Sequence, residues 1–259
     1  MLTALTRAVS PTMGSCELTY LPRTPIHIAK AVEQHERYKQ CLAGLGVQII
    51  SLPAEPAMPD AVFVEDPVVV VDEVAMIART GAESRRNEAA GLAKALAAFR
   101  PLRHMREPAT LEGGDVLRVG RTIFVGLSPR TNDAGISQLA AAVEPFGYTV
   151  RAVPVRDCLH FKTACSYLGD QTLLVNRAWL DTAPLDGLKL IDVADDEPWA
   201  ANALRIGDTV LFPASFPHTE TILRRAGLRV QALDLSELQK AEGSVTCMSV
   251  IFESGTAAI

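Results

Sequence analysis

The sequence predicts one α/β domain spanning residues 1–259, built as a propeller-like ring of five ββαβ units. Three observations lead to this fold class. Helical periodicity recurs along the chain, and an apolar run typical of a β-strand follows each helical segment. Successive runs lie roughly 40 to 50 residues apart, a spacing typical of repeats and propellers. Because the internal identity is weak, a doubly wound α/β sheet also agrees with the pattern and stays open as an alternative.

The predicted helices rest on apolar residues that recur on one helix face. Four segments have this pattern: residues 26–45, 85–99, 133–146 and 218–226. Gly46, Gly147 and Gly227 follow three of them and predict their C-terminal ends, because glycine readily adopts the left-handed conformation that ends a helix. In the remaining unit, a turn at residues 182–186 precedes the strand.

The predicted strands follow these segments directly. In chain order they read GVQIISLP, FRPLRHM, GYTVRAVP, GLKLIDV and GLRVQALDL. Each continues through a polar stretch into a second apolar run, and a polar group stands just before that run in every unit. These groups are Glu65-Asp66, Glu112-Gly-Gly-Asp115, His160, Asn202 and Cys247. Equivalent positions in a ring face its axis, so we expect these groups to share one central pocket.

Cys247 and His160 are the candidate catalytic pair of that pocket. Cys247 begins an apolar strand, where a cysteine is either a small buried hydrophobe or a nucleophile. As a nucleophile it needs an acid/base partner, and His160 is the candidate. The spacing of Cys158, His160 and Cys165 is not a common zinc-binding spacing, and we predict no metal site.

Glu65 and Asp66 place two carboxylates inside the apolar run FVEDP. An unpaired charge in such a place is costly, so a cation should meet them. Two partners remain open: an arginine of the protein itself, or the guanidinium or ammonium group of a bound substrate.

Composition excludes several classes of partner. The formal net charge is −5, from 25 basic and 30 acidic side chains, and no run of Lys or Arg occurs. Nucleic acids and anionic membrane surfaces are therefore not expected partners. No apolar stretch is long enough to span a bilayer, the N-terminus has no signal-peptide pattern, and the five cysteines are scattered without a CxxC motif. We predict a cytoplasmic protein with reduced thiols.

Six segments carry a resemblance to a known family. In chain order they are FVEDP, GAESRRNE, TLEGGDV, FVGLSPRTN, LHFKT and EGSVTCMSV. They resemble segments of the dimethylarginine dimethylaminohydrolase family, which belongs to the guanidino-group-modifying pentein superfamily. The resemblance runs in the same order over nearly the whole chain. It implies a five-bladed α/β propeller, in agreement with the repeat.

The resemblance also implies a reaction and the residues that carry it out. Methylated arginines, namely asymmetric dimethylarginine and monomethylarginine, would be hydrolysed to citrulline and a methylamine without a cofactor. Cys247 would attack the guanidinium carbon and form a covalent thiouronium. His160 would protonate the departing amine and then deprotonate water, with Glu112 orienting its imidazole and Asp66 holding the guanidinium nitrogens.

Substrate binding is implied at further positions. They are Leu18, Asp60, Glu65, Asp66, Arg85, Arg130 and Ala241. Arg85 and Arg130 match residues that hold the α-carboxylate, and Leu18 lies in an N-terminal lid loop around residues 11–25. Ala241 stands where the family usually has a larger aliphatic side chain. The expected partner is a small-molecule methylated arginine, and the protein is expected to be a monomer or a homodimer.

Two alternatives to this activity stay open. One is a sister hydrolase of the same superfamily that acts on arginine or on another N-substituted arginine. The short chain, without an extra helical insertion, disfavours an arginine deiminase. The other is a non-catalytic pentein that binds macromolecules, although such a protein does not need the aligned Cys, His and acidic residues.

Overall fold

A computed structural model describes residues 1–255 of the chain, and residues 256–259 of the predicted domain lie outside it. Its α-helices are α1 (Ile28–Gly44), α2 (Ala89–Leu96), α3 (Asp133–Val143), α4 (Phe161–Ala164), α5 (Pro217–Arg225) and α6 (Ser236–Gln239). Its first eight strands are β1 (Leu2–Arg7), β2 (Gln48–Leu52), β3 (Val68–Val70), β4 (Ala75–Ile77), β5 (Leu102–His104), β6 (Val116–Val119), β7 (Thr122–Leu127) and β8 (Thr149–Pro154). The others are β9 (Cys165–Gly169), β10 (Thr172–Val175), β11 (Lys189–Asp192), β12 (Leu204–Ile206), β13 (Thr209–Pro213), β14 (Arg229–Leu233) and β15 (Val250–Glu253).

The strands form five three-stranded sheets. Their strand orders are β15-β1-β2, β3-β4-β5, β6-β7-β8, β9-β10-β11 and β12-β13-β14. In each sheet the first pair is antiparallel and the second pair is parallel. The two strands of each parallel pair are joined by a crossover connection. In four of the five sheets this connection contains an α-helix, and between β10 and β11 it contains a 3-10 turn, Ala183–Leu185. A single doubly wound sheet is therefore wrong for residues 1–255.

Each structural unit begins one strand later than the repeat in the sequence suggested. The strand that follows a helix closes the sheet of the preceding hairpin and does not open the next sheet. The remaining strand, β2, pairs with the N-terminal β1, which pairs in turn with the C-terminal β15. The first sheet thus joins the two ends of the chain, and the sequence analysis did not predict β1 as a strand.

Burial divides each sheet into an inner and an outer edge. The first and central strands are mostly buried, as in β7, β9 and β13. The third strands alternate between exposed and half-buried residues, as in β2 and β8. Central strands buried on both faces explain the continuous apolar runs of the sequence. Residues just before a first strand consequently lie in the interior of the molecule.

The predicted helices are present, with some changes at their ends. α1 is followed by Gly46 at a φ of +84°, and the 3-10 turn after α3 is followed by Gly147 at +81°, as the glycine signals predicted. The helix predicted from residue 85 begins later: Arg85 ends a separate 3-10 turn, Glu83–Arg85, and α2 begins at Ala89. The predicted start is therefore wrong: Arg85 lies in the separate turn, from which its side chain pairs with buried Asp66 and Glu88. Among residues 1–255, no helix is long and apolar enough to cross a membrane.

Candidate active site

Five equivalent positions, each just before the first strand of a sheet, carry the polar groups singled out from the sequence. They are Glu65-Asp66 before β3, Glu112–Asp115 before β6, His160 before α4 and β9, Asn202 before β12 and Cys247 before β15. The structure brings these positions into contact from all five sheets. Two clusters result, an acid–base cluster around His160 and a support cluster around Glu65, with Cys247 beside both.

The acid–base cluster is centred on a hydrogen bond between His160 and Glu112. His160 Nε2 lies 2.6 Å from Glu112 Oε2, and both side chains are buried. The other ring nitrogen, Nδ1, lies 3.9 Å from Asp66 Oδ1. The backbone N–H of Gly114 donates to the same Asp66 oxygen at 3.2 Å, and a Cβ at position 114 would lie 2.5 Å from His160 Nδ1. Gly114, the second glycine of TLEGGDV, is therefore needed for the close approach of the backbone to the imidazole.

The protonation states follow from this packing. Burial alone lowers the pKa of His160, but the Asp66 carboxylate, the Glu112 hydrogen bond and Asp115 outweigh it and raise that pKa. Burial opposes ionisation of Glu112 too, yet the His160 hydrogen bond and charge hold the pKa of Glu112 below its usual range. Near neutral pH the pair is thus an imidazolium and a carboxylate, which is an acid ready to donate a proton.

Arg85 is the cation that meets Asp66. Its Nη1 lies 2.7 Å from Asp66 Oδ2, and its Nε and Nη2 contact the carboxylate of Glu88. All three side chains are buried. The protein's own arginine is thus a partner of Asp66, as one of the two alternatives proposed. Asp66 Oδ1 contacts the Gly114 N–H and faces His160, so it remains the oxygen closest to the acid–base pair.

The support cluster pairs both carboxylate oxygens of Glu65. Lys162 Nζ lies 2.5 Å from Glu65 Oε1, and the Thr246 hydroxyl donates to Oε2 at 2.8 Å. Asn202 donates to the Lys162 carbonyl and to Thr246 Oγ1 at 3.0 and 2.9 Å, and it accepts from the Thr246 N–H. The Glu65 N–H donates to the Cys247 carbonyl at 3.1 Å. This cluster fixes the backbone on both sides of Cys247.

Cys247 is half-buried between the two clusters. Burial, together with the nearby carboxylates of Glu65 and Asp66, raises the pKa of its thiol to about 12. The Ser244 N–H lies 3.4 Å from the Cys247 sulfur and is a polar contact of the thiol. At neutral pH the free enzyme therefore holds a protonated thiol, and activation needs an added positive charge.

Two cavities flank Cys247 and His160, and both residues line each of them. The charged cavity, of about 20 Å³, is lined by Asp60, Asp66, Arg85, Arg130 and Ala241 among others. The apolar cavity, of about 290 Å³, is walled by Leu21, Leu159, Trp199 and Phe216, with the support cluster at its polar side. Cys247 and His160 thus stand between a small, ionic space and a larger, apolar one.

Comparisons with known proteins agree with the resemblance in the sequence. A family model described as N,N dimethylarginine dimethylhydrolase, eukaryotic, matches residues 22–183. The N(G),N(G)-dimethylarginine dimethylaminohydrolase of Pseudomonas aeruginosa is 37% identical over 226 residues, 86% of this chain and 89% of that protein. The protein of that name from Streptomyces coelicolor is 40% identical over 248 residues, 95% of each chain. This chain belongs to the dimethylarginine dimethylaminohydrolase family.

Solved structures of the same family superpose closely. The Pseudomonas aeruginosa enzyme, a cysteine-to-serine mutant complexed with citrulline, matches with a TM-score of 0.92 at 33% identity, covering 96% of this chain and 98% of that chain. A histidine-to-glycine dimethylarginine dimethylaminohydrolase in an adduct with S-methyl-L-thiocitrulline matches at 0.91 and 33%, covering 96% and 99% of the two chains. The N-terminal domain of ArgZ, a cyanobacterial arginine dihydrolase, shares the fold at a TM-score of 0.81 and 18% identity.

In this dimethylarginine dimethylaminohydrolase family member, the predicted lid lies over the charged cavity. The Glu17 N–H donates to the Asp60 carboxylate at 3.1 Å, and Arg130 Nη2 donates to Thr19 Oγ1 at 3.0 Å. Leu18 is half-buried against the apolar core that also packs against Cys247. The lid is thus joined to two of the predicted substrate-binding residues.

Sequence reasoning missed three residues of the site. Lys162 and Thr246 hold Glu65, and Glu242 holds the lid: its carboxylate accepts the N–H groups of residues 19–21 at 2.6 to 3.2 Å. Glu242 also has a φ of +58°, which is uncommon outside glycine. LHFKT contains Lys162 as its fourth residue, but the partner of that lysine lies 97 positions away along the chain.

The acid–base cluster contains three side chains of kinds that can bind a metal ion. Ligand atoms of Asp66, Glu112 and His160 lie within 4.8 Å of one another. Arg85 and the His160–Glu112 hydrogen bond already occupy three of these groups. Each of the three side chains thus already has a partner within the protein.

Proposed function

We propose that this protein hydrolyses Nω-methylated arginines, asymmetric dimethylarginine and monomethylarginine, to citrulline and a methylamine. The observation that carries the proposal is that His160, hydrogen-bonded to Glu112, lines the same two cavities as the Cys247 thiol. A nucleophile, an acid/base and a carboxylate that orients the base are the groups that covalent hydrolysis needs. The activities named for the relatives support the same reaction.

The first step is attack of the Cys247 sulfur on the guanidinium carbon. The free thiol has a pKa of about 12, so it needs a positive charge beside it to ionise. The substrate guanidinium supplies that charge and favours the thiolate, and the thiol proton passes to solvent. Substrate binding and activation of the nucleophile are thereby coupled, which protects the thiol while no substrate is present.

His160 moves the protons of the reaction. Its Nε2 is held by Glu112, so Nδ1, on the side of Asp66, is the nitrogen that faces the substrate. The imidazolium donates a proton to the leaving amine as the carbon–nitrogen bond breaks and a thiouronium remains on Cys247. The neutral imidazole then takes a proton from water, whose attack releases citrulline and the thiol.

With the lid in place the charged cavity, at about 20 Å³, has room for about one water molecule. In this proposal the lid opens, and the charged cavity then binds the amino-acid part of the substrate. Asp66 and Glu65 stand near the guanidinium, Asp60 faces the α-ammonium, and Arg85 and Arg130 face the α-carboxylate. Arg130 is the better placed of the two arginines, because it is paired with one carboxylate, Glu112, whereas Arg85 is paired with two, Asp66 and Glu88. Ala241 shapes the wall, and the lid with Leu18 covers the pocket.

The wider context forms part of the same proposal. We infer that the five sheets are the blades of one propeller domain around the site, with the lid at residues 11–25. The proposal includes a cytoplasmic protein, a monomer or homodimer, that does not bind nucleic acid. It needs no cofactor.

A citrulline-release assay tests the activity. Asymmetric dimethylarginine, monomethylarginine and arginine are compared in parallel, and we expect the methylated substrates to have the higher kcat/KM. Cys247→Ser should abolish turnover, whereas Cys41→Ser, the same change at a half-buried cysteine on α1, should not. Preference for unmethylated arginine would show the sister activity, and normal turnover by Cys247→Ser would refute the nucleophile assignment.

A further inference from the structure

In the proposed function, the apolar cavity does not bind the amino-acid part of the substrate. Asp60, Asp66, Arg85 and Arg130, which carry the charges suited to an amino acid, line the charged cavity and are absent from the lining of the apolar one. Yet the apolar cavity opens onto Cys247 and His160 directly. A substrate whose amino-acid end lies in the charged cavity therefore presents its reacting end to the apolar cavity.

The charges in the wall of the apolar cavity are already paired. Glu65 is bound by Lys162 and Thr246, and the carboxylate of Glu242 accepts three N–H groups of the lid. Ser215 and Gln239 are hydrogen-bonded to each other at the rim. A cavity whose polar groups are satisfied favours an uncharged, apolar occupant over a cation.

Aromatic contacts hold Trp199 in the wall of this cavity. Trp199 makes an edge contact with Trp179, with ring centroids 4.6 Å apart, and a second edge contact with Tyr20 of the lid at 6.3 Å. Such contacts orient the indole and hold it at the wall. Leu21 and Phe216 add apolar surface on other sides.

We propose that the apolar cavity receives the Nω substituent of the substrate and that the enzyme hydrolyses arginines whose substituent is far larger than a methyl group. This inference rests on the proposed function. The volume is about 290 Å³, whereas an apolar cavity of about 150 Å³ is enough to bind benzene. Nω-aralkyl arginines such as Nω-benzyl-L-arginine are the class of substrate that fits.

The chemistry is the same reaction with another leaving group. The Cys247 thiol gives its proton to solvent and its sulfur bonds to the guanidinium carbon. The bond from that carbon to the benzyl-bearing nitrogen then breaks, and His160 gives its proton to that nitrogen. Benzylamine leaves through the apolar cavity, water adds to the thiouronium, and its proton returns to His160. Citrulline and the free thiol result, so one water is consumed per benzylamine released.

The test fills the cavity without touching the catalytic groups. Ser215 is exposed at the rim, and Ser215→Trp would extend an indole into the cavity. Ala214→Trp is the matched control, because Ala214 is also exposed but does not line the cavity. We expect Ser215→Trp to lower kcat/KM for Nω-benzyl-L-arginine at least about tenfold and to change that for dimethylarginine by less than about twofold, since the lost contact is apolar area.

Binding separates this inference from the proposed function. Titration calorimetry of Nω-benzyl-L-arginine into Cys247→Ser protein should give a Kd that Ser215→Trp weakens and Ala214→Trp leaves unchanged. If dimethylarginine is not hydrolysed but this binding pattern holds, the activity is wrong and the cavity assignment stands. If wild-type enzyme hydrolyses dimethylarginine but neither binds nor hydrolyses the benzyl compound, or if both tryptophan variants behave alike, the cavity assignment is overturned.

Discussion

Glu65 and Asp66 are adjacent in the sequence, but they belong to clusters of different kinds. Asp66 faces His160 and contacts an arginine that lines the charged cavity. Glu65 is held by Lys162 and Thr246, which Asn202 ties together. In the acid–base cluster the protonation of His160 and Glu112 is coupled, whereas the support cluster is a closed set of hydrogen bonds. The comparison teaches that two adjacent carboxylates can have different surroundings: Asp66 faces the His160 imidazole, whereas Glu65 holds the backbone beside Cys247.

The sharpest way to break the acid–base cluster is Glu112→Gln. The variant removes the charge that favours the imidazolium, so we expect the pKa of His160 to fall and kcat to decrease by about 10² to 10⁴. Citrulline release gives kcat, and NMR titration of the imidazole gives the pKa. Glu144→Gln, the same change at an exposed position, is the control. An unchanged His160 pKa would contradict the pairing.

The same pair predicts a pH window for stability. The pKa of His160 is raised on folding, so its contribution is present below its unfolded pKa and is lost as the pH rises through its folded value. The pKa of Glu112 is lowered, so its contribution is present above its unfolded pKa and is lost as the pH falls through its folded value. Both contributions are complete only between the unfolded pKa of Glu112, 4.5, and that of His160, 6.5, so the wild-type advantage over Glu112→Gln should be largest in mildly acidic solution.

The support cluster is broken by Lys162→Met. The methionine fills similar space but leaves Glu65 buried without its cation, which costs about 3 kcal/mol of unfolding free energy. Burial already raises the pKa of Glu65 and Lys162 opposes that rise, so the loss should shrink in acid, where Glu65 is protonated. Urea unfolding measures it.

A double variant sharpens this test. Glu65→Gln combined with Lys162→Met removes both charges and should recover a large part of the lost stability, because no unpaired ion is left. The control is Lys94→Met. Lys94 lies in the last turn of α2 and forms no ion pair with the described residues. If the double variant is no more stable than Lys162→Met, the two side chains are not coupled.

The sequence repeat predicted the five positions that carry the polar groups, but it did not predict which strands pair with one another. Periodicity reports where strands occur, and it cannot tell whether the strand after a helix joins the preceding or the following hairpin. For that reason the units were divided one strand too early, and β1 went unnoticed although it joins the two ends of the chain. The prediction that the polar groups lie close together did not depend on this error. Each group lies just before the first, buried strand of a sheet, wherever the unit is taken to begin.

Partners were harder to predict than positions. The cost of burying Asp66 and Glu65 predicted that cations would meet them, but the identity of each cation depends on contacts across sheets. Arg85 lies 19 positions from Asp66 and was assigned to the substrate, while Lys162 lies 97 positions from Glu65 and was not assigned at all. Spacing along one chain carries no signal for such pairs.

The smallest expected effect concerns Glu242, which lines both cavities and holds the lid over the charged one. Glu242→Gln keeps an oxygen acceptor but loses the negative charge, and a charge-assisted bond at an exposed site is worth about 1 kcal/mol more than a neutral one. We therefore expect KM for dimethylarginine to rise by about fivefold with little change in kcat. Trypsin cleavage after Arg23 should become faster as the lid opens, and Glu253→Gln, an exposed change far along the chain, should alter neither. A fall in kcat at constant KM would instead show that Glu242 acts with the acid–base cluster and not through the lid.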